Sequence, residues 1–219
     1  MMNTTFTTLD LQPWPRGQMF YYFTQMAPVG YSLTTQVDIT TMRDTLIKHH
    51  LKFFPAYLWL VTKMLNRQIE FKVAVKDEKL GYWDTLTPLY ATFHDDDKTI
   101  SFIWTEYCES FSEFYERYLE NKKNYGNNHG ILAQPQMPPA NSYTVSCLPW
   151  IDFKHFAVHS YENKQYYFPS IEAGKFIKRG NTITMPLSIT AHHATTDGWH
   201  IKVFLEDLQD AMNCPQNWI

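Results

Sequence analysis

The sequence predicts an α+β fold, a two-layer sandwich of a mixed β-sheet packed with helices. Helical and strand patterns mix along the chain without the regular βαβ alternation of a parallel-sheet protein. Hydrophobic residues make up 44% of the 219 residues, which is enough for a substantial core and excludes a disordered chain. Because no repeat or low-complexity linker divides the sequence, we expect a single domain over residues 1–219.

Four segments carry helical patterns. Ala56 to Asn66 is apolar nearly all round, which predicts a buried helix. Ser110 to Tyr125 opens with a capping-box pattern and continues with apolar residues at the three- and four-residue spacing of one helix face. A similar stripe predicts a helix from about Trp199 to Met212. Residues 41–49 form a weaker fourth candidate.

Strand patterns fill most of the remaining chain. Alternating residues predict a strand at Thr34–Thr40, and a polar turn inside residues 70–83 predicts a hairpin. Further strands are expected at 89–94, 100–104, 143–148 and 175–191, the last interrupted by a turn at Lys178-Arg179-Gly180-Asn181. Glycines and prolines between Gly126 and Asn141 predict a long loop, and loops of this length often border functional sites.

Charge and cysteine content exclude several classes of protein. A net charge of −3 disfavours sequence-independent nucleic-acid binding. Three cysteines without a CxxC pair argue against a disulfide framework and a structural zinc. The N-terminus lacks the pattern of a secretory signal, and the longest apolar stretch is too short for a membrane span. We therefore expect a cytoplasmic protein with no membrane partner.

The residues with most chemical content lie between Met185 and Phe204, where a strand pattern ends in two histidines. Asp197 follows His193 at a spacing of four, and Gly198 comes next, just before the predicted third helix. A neutral imidazole is the side chain best suited to remove a proton near neutral pH. Asp197 could orient that imidazole, pair with a cation, or only cap the helix, and the spacing does not decide among these.

Two other chemistries have weaker support. His192, His193, Asp197 and His200 could together supply metal ligands, but neighbouring strand histidines point to opposite faces and no HExxH pattern is present. We therefore predict no metal. Ser146 lacks the flanking glycines of a nucleophile elbow, and the chain has no glycine-rich phosphate loop.

Several separated motifs occur in the order found in one known family. They are Trp14-Pro15-Arg16, Val37-Asp38-Ile39-Thr40, Lys52-Phe53-Phe54-Pro55, Lys76-Asp77 through Trp83-Asp84, Val145-Ser146-Cys147-Leu148-Pro149-Trp150, Gly174-Lys175, Met185-Pro186-Leu187 and His192-His193-Ala194-Thr195-Thr196-Asp197-Gly198-Trp199-His200. In these motifs and their order, the sequence resembles the type A, trimeric chloramphenicol acetyltransferases over roughly residues 10–213.

The resemblance implies a fold, a reaction and a division of roles. It implies the CoA-dependent acyltransferase fold, a homotrimer with active sites between subunits, and acetyl transfer from acetyl-CoA to the 3-hydroxyl of chloramphenicol, which gives resistance. By the same resemblance His193 is the general base and Ser146 steadies the oxyanion. Asp197 pairs with Arg16 and supports the site rather than relaying charge.

Binding residues also follow from the resemblance. Lys52 matches a lysine near the CoA phosphates, and Phe176 matches a residue that stacks on CoA, although both could be ordinary surface or packing residues. The apolar acceptor slot corresponds to Phe23, Ala27, Val29, Tyr31, Ala91, Ile100, Phe156 and Val158, with Glu172 beside them, and core packing is the alternative for each aromatic residue. Val29, Ala91, Glu172 and Thr196 depart from the family pattern, which bears on the acceptor more than on the reaction.

Two alternatives remain at this point. One is a CoA-dependent acyltransferase that acts on another small hydroxyl or thiol acceptor, such as the dihydrolipoyl acyltransferase core, although this chain carries no lipoyl domain. The other is a non-catalytic drug-binding protein, which would need no base.

Overall fold

A computed structural model describes residues 4–160 and 165–219. Within these residues the strands are β1 (Phe6–Thr8), β2 (Gly30–Asp38), β3 (Val73–Lys76), β4 (Lys79–Trp83), β5 (Thr87–Phe93), β6 (Ile100–Trp104), β7 (Ser142–Cys147), β8 (Ser170–Ala173), β9 (Ile177–Arg179) and β10 (Thr182–His192). The α-helices are α1 (Gly17–Tyr21), α2 (Thr40–Lys48), α3 (Phe53–Asn66), α4 (Phe111–Tyr125) and α5 (Gly198–Asn213). A π-helical turn, Tyr22–Met26, extends α1, and Ile69–Lys72 and Pro215–Asn217 form 3₁₀ turns.

The main sheet is mixed, as predicted. Its strands run in the order β2-β10-β8-β7-β5-β6, and β9 pairs with the start of β10. The pairs β7–β8 and β5–β7 are parallel, whereas β10 is antiparallel to β2 and to β8. A separate three-stranded sheet has the order β1-β4-β3. Helices packed against a mixed sheet confirm the α+β prediction.

The two faces of the main sheet differ in character. Val145, Ile171 and Ile189 occupy neighbouring strands on the face that packs on the helices, and all three are buried in the hydrophobic core. The residues next to these three in sequence lie on the opposite face. Together with one residue of β2 they form a cross-strand row: Ser146, Glu172, Ser188 and Thr34. We call this second face the polar face. It follows from strand alternation that β7 contributes Tyr143 to the core and Ser146 to the polar face.

The predicted helices are confirmed, with ends that shift by a few residues. The Ser110 hydroxyl caps α4 by accepting a hydrogen bond from the backbone N–H of Glu113 at 3.3 Å. The strand expected at Thr34–Thr40 was placed wrongly at both ends, because β2 starts at Gly30 and stops at Asp38. The Asp38 carboxylate accepts hydrogen bonds from the backbone N–H and hydroxyl of Thr40, and these contacts start α2 at that residue.

The expected hairpin within residues 70–83 is present but shorter, because its first residues form a 3₁₀ turn. Asp77 and Glu78 occupy its tight turn with φ angles of 49° and 61°. Two consecutive left-handed residues give the turn twist that suits a two-residue hairpin. The predicted turn at residues 178–181 likewise joins β9 to β10, with Gly180 at φ 60°.

Three elements were not predicted, namely β1, β8 and α1 with its π-helical turn. β8 has only four residues and all of them are buried, so it shows no alternation. The long loop at 126–141 forms no helix or strand apart from one bridge between Phe102 and Leu132. It borders a groove of about 870 Å³ whose lining residues include none of the predicted site residues. No helix in the described part of the chain is long and apolar enough to cross a membrane.

Candidate active site

The turn between β10 and α5 holds His193 in a fixed backbone position. Its N–H donates to the carbonyl oxygen of Val29 at 3.0 Å, which ties the turn to the start of β2. The N–H groups of Thr195 and Thr196 both donate to the His192 carbonyl at 3.2 Å. Asp197 then caps α5 by accepting from the backbone N–H of Trp199 at 3.0 Å. The chain therefore turns sharply at the end of a buried strand and presents His193 at the sheet margin.

The His193 ring is oriented by one hydrogen bond and two aromatic contacts. Its Nδ1 lies 3.0 Å from the carbonyl oxygen of Thr196. A carbonyl oxygen can only accept, so Nδ1 carries the proton and Nε2 of the neutral ring keeps its lone pair. Phe23 stacks on the ring at a centroid distance of 4.1 Å, and the Tyr31 ring meets it edge-on at 5.1 Å. This ring is thus arranged to accept a proton at Nε2.

Arg16 and Asp197 form the ion pair that the resemblance implies. Arg16 Nη1 lies 2.5 Å from Asp197 Oδ2, and Arg16 Nη2 donates to the His193 carbonyl at 3.2 Å. Arg16 directly precedes Gly17, where an added Cβ would lie 1.9 Å from the Leu11 carbonyl oxygen. One guanidinium therefore braces both ends of the turn, and a glycine allows the chain to approach closely beside it.

The Asp197 carboxylate does not contact the His193 ring. Its other oxygen, Oδ1, lies 2.9 Å from His200 Nδ1, one helical turn into α5. Burial alone would raise the pKa of Asp197, but hydrogen bonds from Arg16 and Trp199 and the charges of His200 and Arg16 hold it below its ordinary value. Asp197 is therefore ionised at neutral pH and fixes the turn, which answers the question that the spacing left open.

His192 has different surroundings from His193. Its Nδ1 accepts a hydrogen bond from the backbone N–H of Ala194 at 3.1 Å, and its ring meets Tyr167 edge-on. Burial, with a contribution from neighbouring His193, lowers its pKa. In the described residues, His192, His193, Asp197 and His200 do not gather three metal-ligating atoms in one place.

Ser146 lies on the polar face, opposite Glu172 on the neighbouring strand. Burial raises the pKa of Glu172 to about 7, against a smaller lowering by the Ser170 hydroxyl, which donates to Oε1. The other carboxyl oxygen of Glu172, Oε2, is buried without a hydrogen-bond partner among the described residues. A carboxyl group with one unmatched oxygen thus lies directly beside the predicted oxyanion residue.

The predicted acceptor residues fall into two groups. Phe23 and Tyr31 surround the His193 ring, with Ala27 at the end of the π-helical turn. On the other side, Ala91 shares the polar face with Ser146, because its neighbour Tyr90 pairs with Val145 in the core register. Phe93 lies two residues after Ala91 on the same face of β5, and it pairs with Ile100 of β6.

The segment that carries Phe156 and Val158 crosses the polar face. The Phe156 carbonyl accepts from the Ser188 hydroxyl at 2.5 Å, and its N–H donates to the Thr34 hydroxyl at 3.4 Å. Val158 and Val29 line a cavity of about 510 Å³ with His192 and Thr190. The Thr190 hydroxyl is buried in this region without a partner among the described residues.

Ser146 and His193 of one chain are far apart. Ser146 on β7 is in the same row as Ser188 on β10, which is two strands away. Ser188 in turn comes five residues before His193 in the chain. With strands about 4.8 Å apart and about 3.3 Å per residue, the two side chains are separated by about 15–20 Å. A single chain therefore does not bring the predicted base and the predicted oxyanion group together.

The two predicted cofactor residues lie in the same region. Lys52 is exposed at the N-cap position of α3. Phe53 directly follows Lys52, and its ring makes an edge-to-face contact with the Phe176 ring at a centroid distance of 4.7 Å. Phe176 is partly buried against the hydrophobic core, so packing accounts for at least part of its surroundings.

Sequence reasoning missed two contributors to this site. The Thr196 carbonyl sets the His193 tautomer, and no side-chain pattern reports a backbone carbonyl. His200 was considered as a metal ligand, whereas it is a neighbour of the Asp197 carboxylate. Its position three residues after an N-capping aspartate matches the spacing of a capping box, which is a signal that the sequence did contain.

Comparison with known proteins identifies relatives that cover nearly the whole chain. The family model described as chloramphenicol acetyltransferase matches residues 2–209. A chloramphenicol acetyltransferase from Staphylococcus aureus is 36% identical over 98% of this chain and 99% of its own length. A solved chloramphenicol acetyltransferase superposes with a TM-score of 0.85 at 20% identity, covering 95% of this chain and all of the other. The cubic core of the pyruvate dehydrogenase multienzyme complex superposes with a TM-score of 0.66 at 15% identity over 92% of this chain and 88% of its own, so the fold is shared more widely. The chain belongs to the chloramphenicol acetyltransferase family.

Proposed function

We propose that the protein transfers the acetyl group of acetyl-CoA to the 3-hydroxyl of chloramphenicol and in this way confers resistance. The observation that carries the proposal is the His193 imidazole, whose Nδ1 is bound to the Thr196 carbonyl and whose Nε2 is left free to take a proton. A protein that only bound the drug would need neither this tautomer nor the Arg16 brace on the same turn.

The proposed reaction is direct attack of the acceptor on the thioester. His193 Nε2 removes the proton of the hydroxyl, and the oxygen bonds to the acetyl carbonyl carbon. The Ser146 hydroxyl donates to the oxyanion that forms. The carbon–sulfur bond then breaks, and the CoA sulfur leaves with the proton held by His193. General-base catalysis contributes about 10²–10⁴-fold and one oxyanion donor about 10²–10³-fold.

The separation of Ser146 from His193 supports a site built between subunits. Two exposed apolar surfaces accompany the two halves of the site. Met19, Tyr22 and Met26 are exposed on α1 and its π-helical turn, which also carries Phe23. Exposed Phe93, Ile100 and Trp150 lie on the Ser146 side, where Phe93 contacts both of the others. Two different exposed apolar surfaces suit head-to-tail contacts that close a ring, and we propose a homotrimer.

Acetyl-CoA is the proposed acetyl donor. The Lys52 ammonium suits a phosphate group of CoA, and the adjacent Phe176 ring offers an apolar surface at the start of α3. The three cysteines are free, which fits the cytoplasm as the proposed location. We also propose that residues 1–219 act as one domain, since core residues from Val37 to Met212 join one hydrophobic cluster.

A thiol-release assay with purified protein tests the reaction. We expect CoA release from acetyl-CoA only when chloramphenicol is added, together with formation of the 3-O-acetyl product. Release with other small alcohols but not with chloramphenicol would transfer the proposal to the second candidate, an acyltransferase with another acceptor. Buried Glu172, with Oε2 unmatched in the described structure, favours that candidate because it could accept a hydrogen bond from a different acceptor. Absence of release with every acceptor would contradict both.

Mixing two catalytically impaired variants tests the assembly. Chains with His193→Ala and chains with Ser146→Ala are unfolded together and refolded as a mixture. If each site takes its base from one subunit and Ser146 from the next, about a quarter of the sites in a random mixture contain both wild-type groups. Recovery of activity well above that of either variant is expected. No recovery, in trimers shown to be mixed by a purification tag carried on only one variant, would place both groups on one chain.

A further inference from the structure

Two histidines and two aspartates meet where the β5–β6 turn touches the long loop at 126–141. We propose that His94, Asp96 and His129 bind a divalent transition-metal ion of the zinc type, with Asp97 orienting one of the histidines. Each of the three proposed ligands offers one donor atom, and these atoms lie within 4.8 Å of one another. None of the four residues belongs to the site described above, and the two histidines come from segments that are 35 residues apart.

The hydrogen bonds of His94 fix which ring nitrogen is free. The Ser101 hydroxyl donates its single proton to the Asn128 carbonyl at 2.9 Å. It must therefore accept from His94 Nε2, which lies 2.8 Å away, so Nε2 carries the proton of the neutral ring. His94 is only 6% exposed, and its Nδ1 lone pair has no hydrogen-bond donor among the described residues. A buried imidazole whose second nitrogen donates to a fixed partner has the usual arrangement of a metal ligand.

His129 is arranged in the complementary way. Its Nδ1 lies 2.9 Å from Asp97 Oδ2, which can only accept when ionised, so Nδ1 donates. The Asp97 carboxylate also accepts from the backbone N–H of Thr99 at 3.0 Å and from its hydroxyl at 2.7 Å, and these bonds hold it in place. His129 Nε2 then faces Asp96 Oδ2 at 3.3 Å. In the neutral ring these are two electron-pair donors in contact, which is favourable when a cation lies between them.

The spacing and the ligand chemistry indicate the class of ion. Two ligands bonded to one Zn²⁺ at about 2.1 Å with near-tetrahedral angles lie about 3.4 Å apart, close to the spacing of His129 Nε2 and Asp96 Oδ2. The His94 and His129 rings stack with their centroids 4.1 Å apart, and one ring must turn to point its in-plane lone pair at the shared ion. Two imidazoles and one carboxylate favour Zn²⁺, Co²⁺ or Ni²⁺ over Mg²⁺ or Ca²⁺, which prefer oxygen ligands.

Binding would join two irregular segments. His94 belongs to the turn after β5, where its N–H donates to the Thr99 carbonyl at 2.9 Å. His129 belongs to the long loop, which is otherwise held near β6 by backbone bonds between Phe102 and residues 131 and 133. An ion shared by the two segments would stabilise the folded loop without taking part in acetyl transfer.

Zinc binding to the whole purified protein tests the proposal. After treatment with a chelator and dialysis, wild-type protein is titrated with Zn²⁺ at pH 7.5 by calorimetry, and its melting temperature is followed in parallel. We expect one ion per chain, a higher melting temperature with Zn²⁺, and no comparable rise with Mg²⁺. Co²⁺ should give the visible absorption of a tetrahedral site. The half-exposed His129 is the first residue to change, since His129→Ala should fold and should weaken binding at least tenfold.

Three further variants distinguish this site from others. Ser101→Ala removes the partner of His94 Nε2 and should weaken binding by about 10–100-fold. His155→Ala changes an exposed histidine elsewhere and should bind as wild type does. His193→Ala should also keep the ion, which separates this site from zinc bound at the proposed catalytic base. Equal affinity in wild type and His129→Ala, or the absence of saturable binding in wild type, would overturn the proposal.

Discussion

Breaking the Arg16–Asp197 ion pair should cost both stability and activity. The perturbation of choice is Asp197→Asn, because asparagine keeps the N-cap of α5 while removing the charge. Arg16→Ala removes the other partner and also the bond to the His193 carbonyl. Both changes loosen the turn that holds the proposed base, so kcat should fall along with the melting temperature.

The expected loss in the free energy of unfolding depends on how deeply the ion pair is buried. Removing one partner of a fully buried pair costs about 3–5 kcal/mol, whereas an exposed pair contributes less than about 1 kcal/mol. Here the arginine side chain is 11% exposed and the aspartate 38%. The pair lies between these limits, and we expect each single variant to lose about 2 kcal/mol. For a chain of this size that loss lowers the melting temperature by about 4–8 °C.

Urea unfolding of the two single variants and the double variant measures the coupling directly. A matched control is available on α5, where Lys202 and Glu206 form a pair with the same 2.5 Å separation and side chains 50% and 60% exposed. Lys202→Ala should cost less than about 0.5 kcal/mol.

The two site variants should be strongly non-additive, because each already breaks the same interaction. The double variant should therefore lose about 2–3 kcal/mol. A loss near 4 kcal/mol, the sum of the single losses, would refute the assignment of Arg16 and Asp197 as an energetic pair. So would a control loss as large as that of Asp197→Asn.

Three other predictions test individual groups. His193→Ala should abolish acetyl transfer while the protein stays folded, whereas His192→Ala should cost less; equal losses in steady-state assays would remove the assignment of the base. Ser146→Ala should lower kcat about 10²-fold with little change in KM, because its hydroxyl is proposed to meet the oxygen only as an oxyanion, and a kcat within about twofold of wild type would end that role. For Glu172 the folded-state pKa of about 7 lies above the ordinary 4.5, so the unfolded chain loses its proton first and the free energy of unfolding should fall by about 3 kcal/mol as pH rises from about 4.5 to 7. Glu172→Gln should remove that slope in urea unfolding at fixed protein concentration, and an unchanged slope would show that another group causes it.

The sequence by itself determined the features that depend on near neighbours. The apolar periodicity of α3 and the capping pattern of Ser110 act within one or two turns, so local residues were enough to predict these helices. The polar hairpin turn at Asp77-Glu78 is equally local. Motif resemblance added the pairing of Arg16 with Asp197, which local pattern could not supply because 181 positions separate the two residues.

Only the tertiary structure decided the features that depend on distant partners. β8 is a strand because β7 and β10 pair on either side of it, and its four buried residues show no period of their own. The same pairing places Ser146 beside Glu172 and far from His193, since register is fixed across strands and not along them. The tautomer of His193 depends on a backbone carbonyl, and the meeting of His94 with His129 depends on where a long loop packs. Side-chain identity carries none of this information, because it arises only when separate segments are brought together in the folded chain.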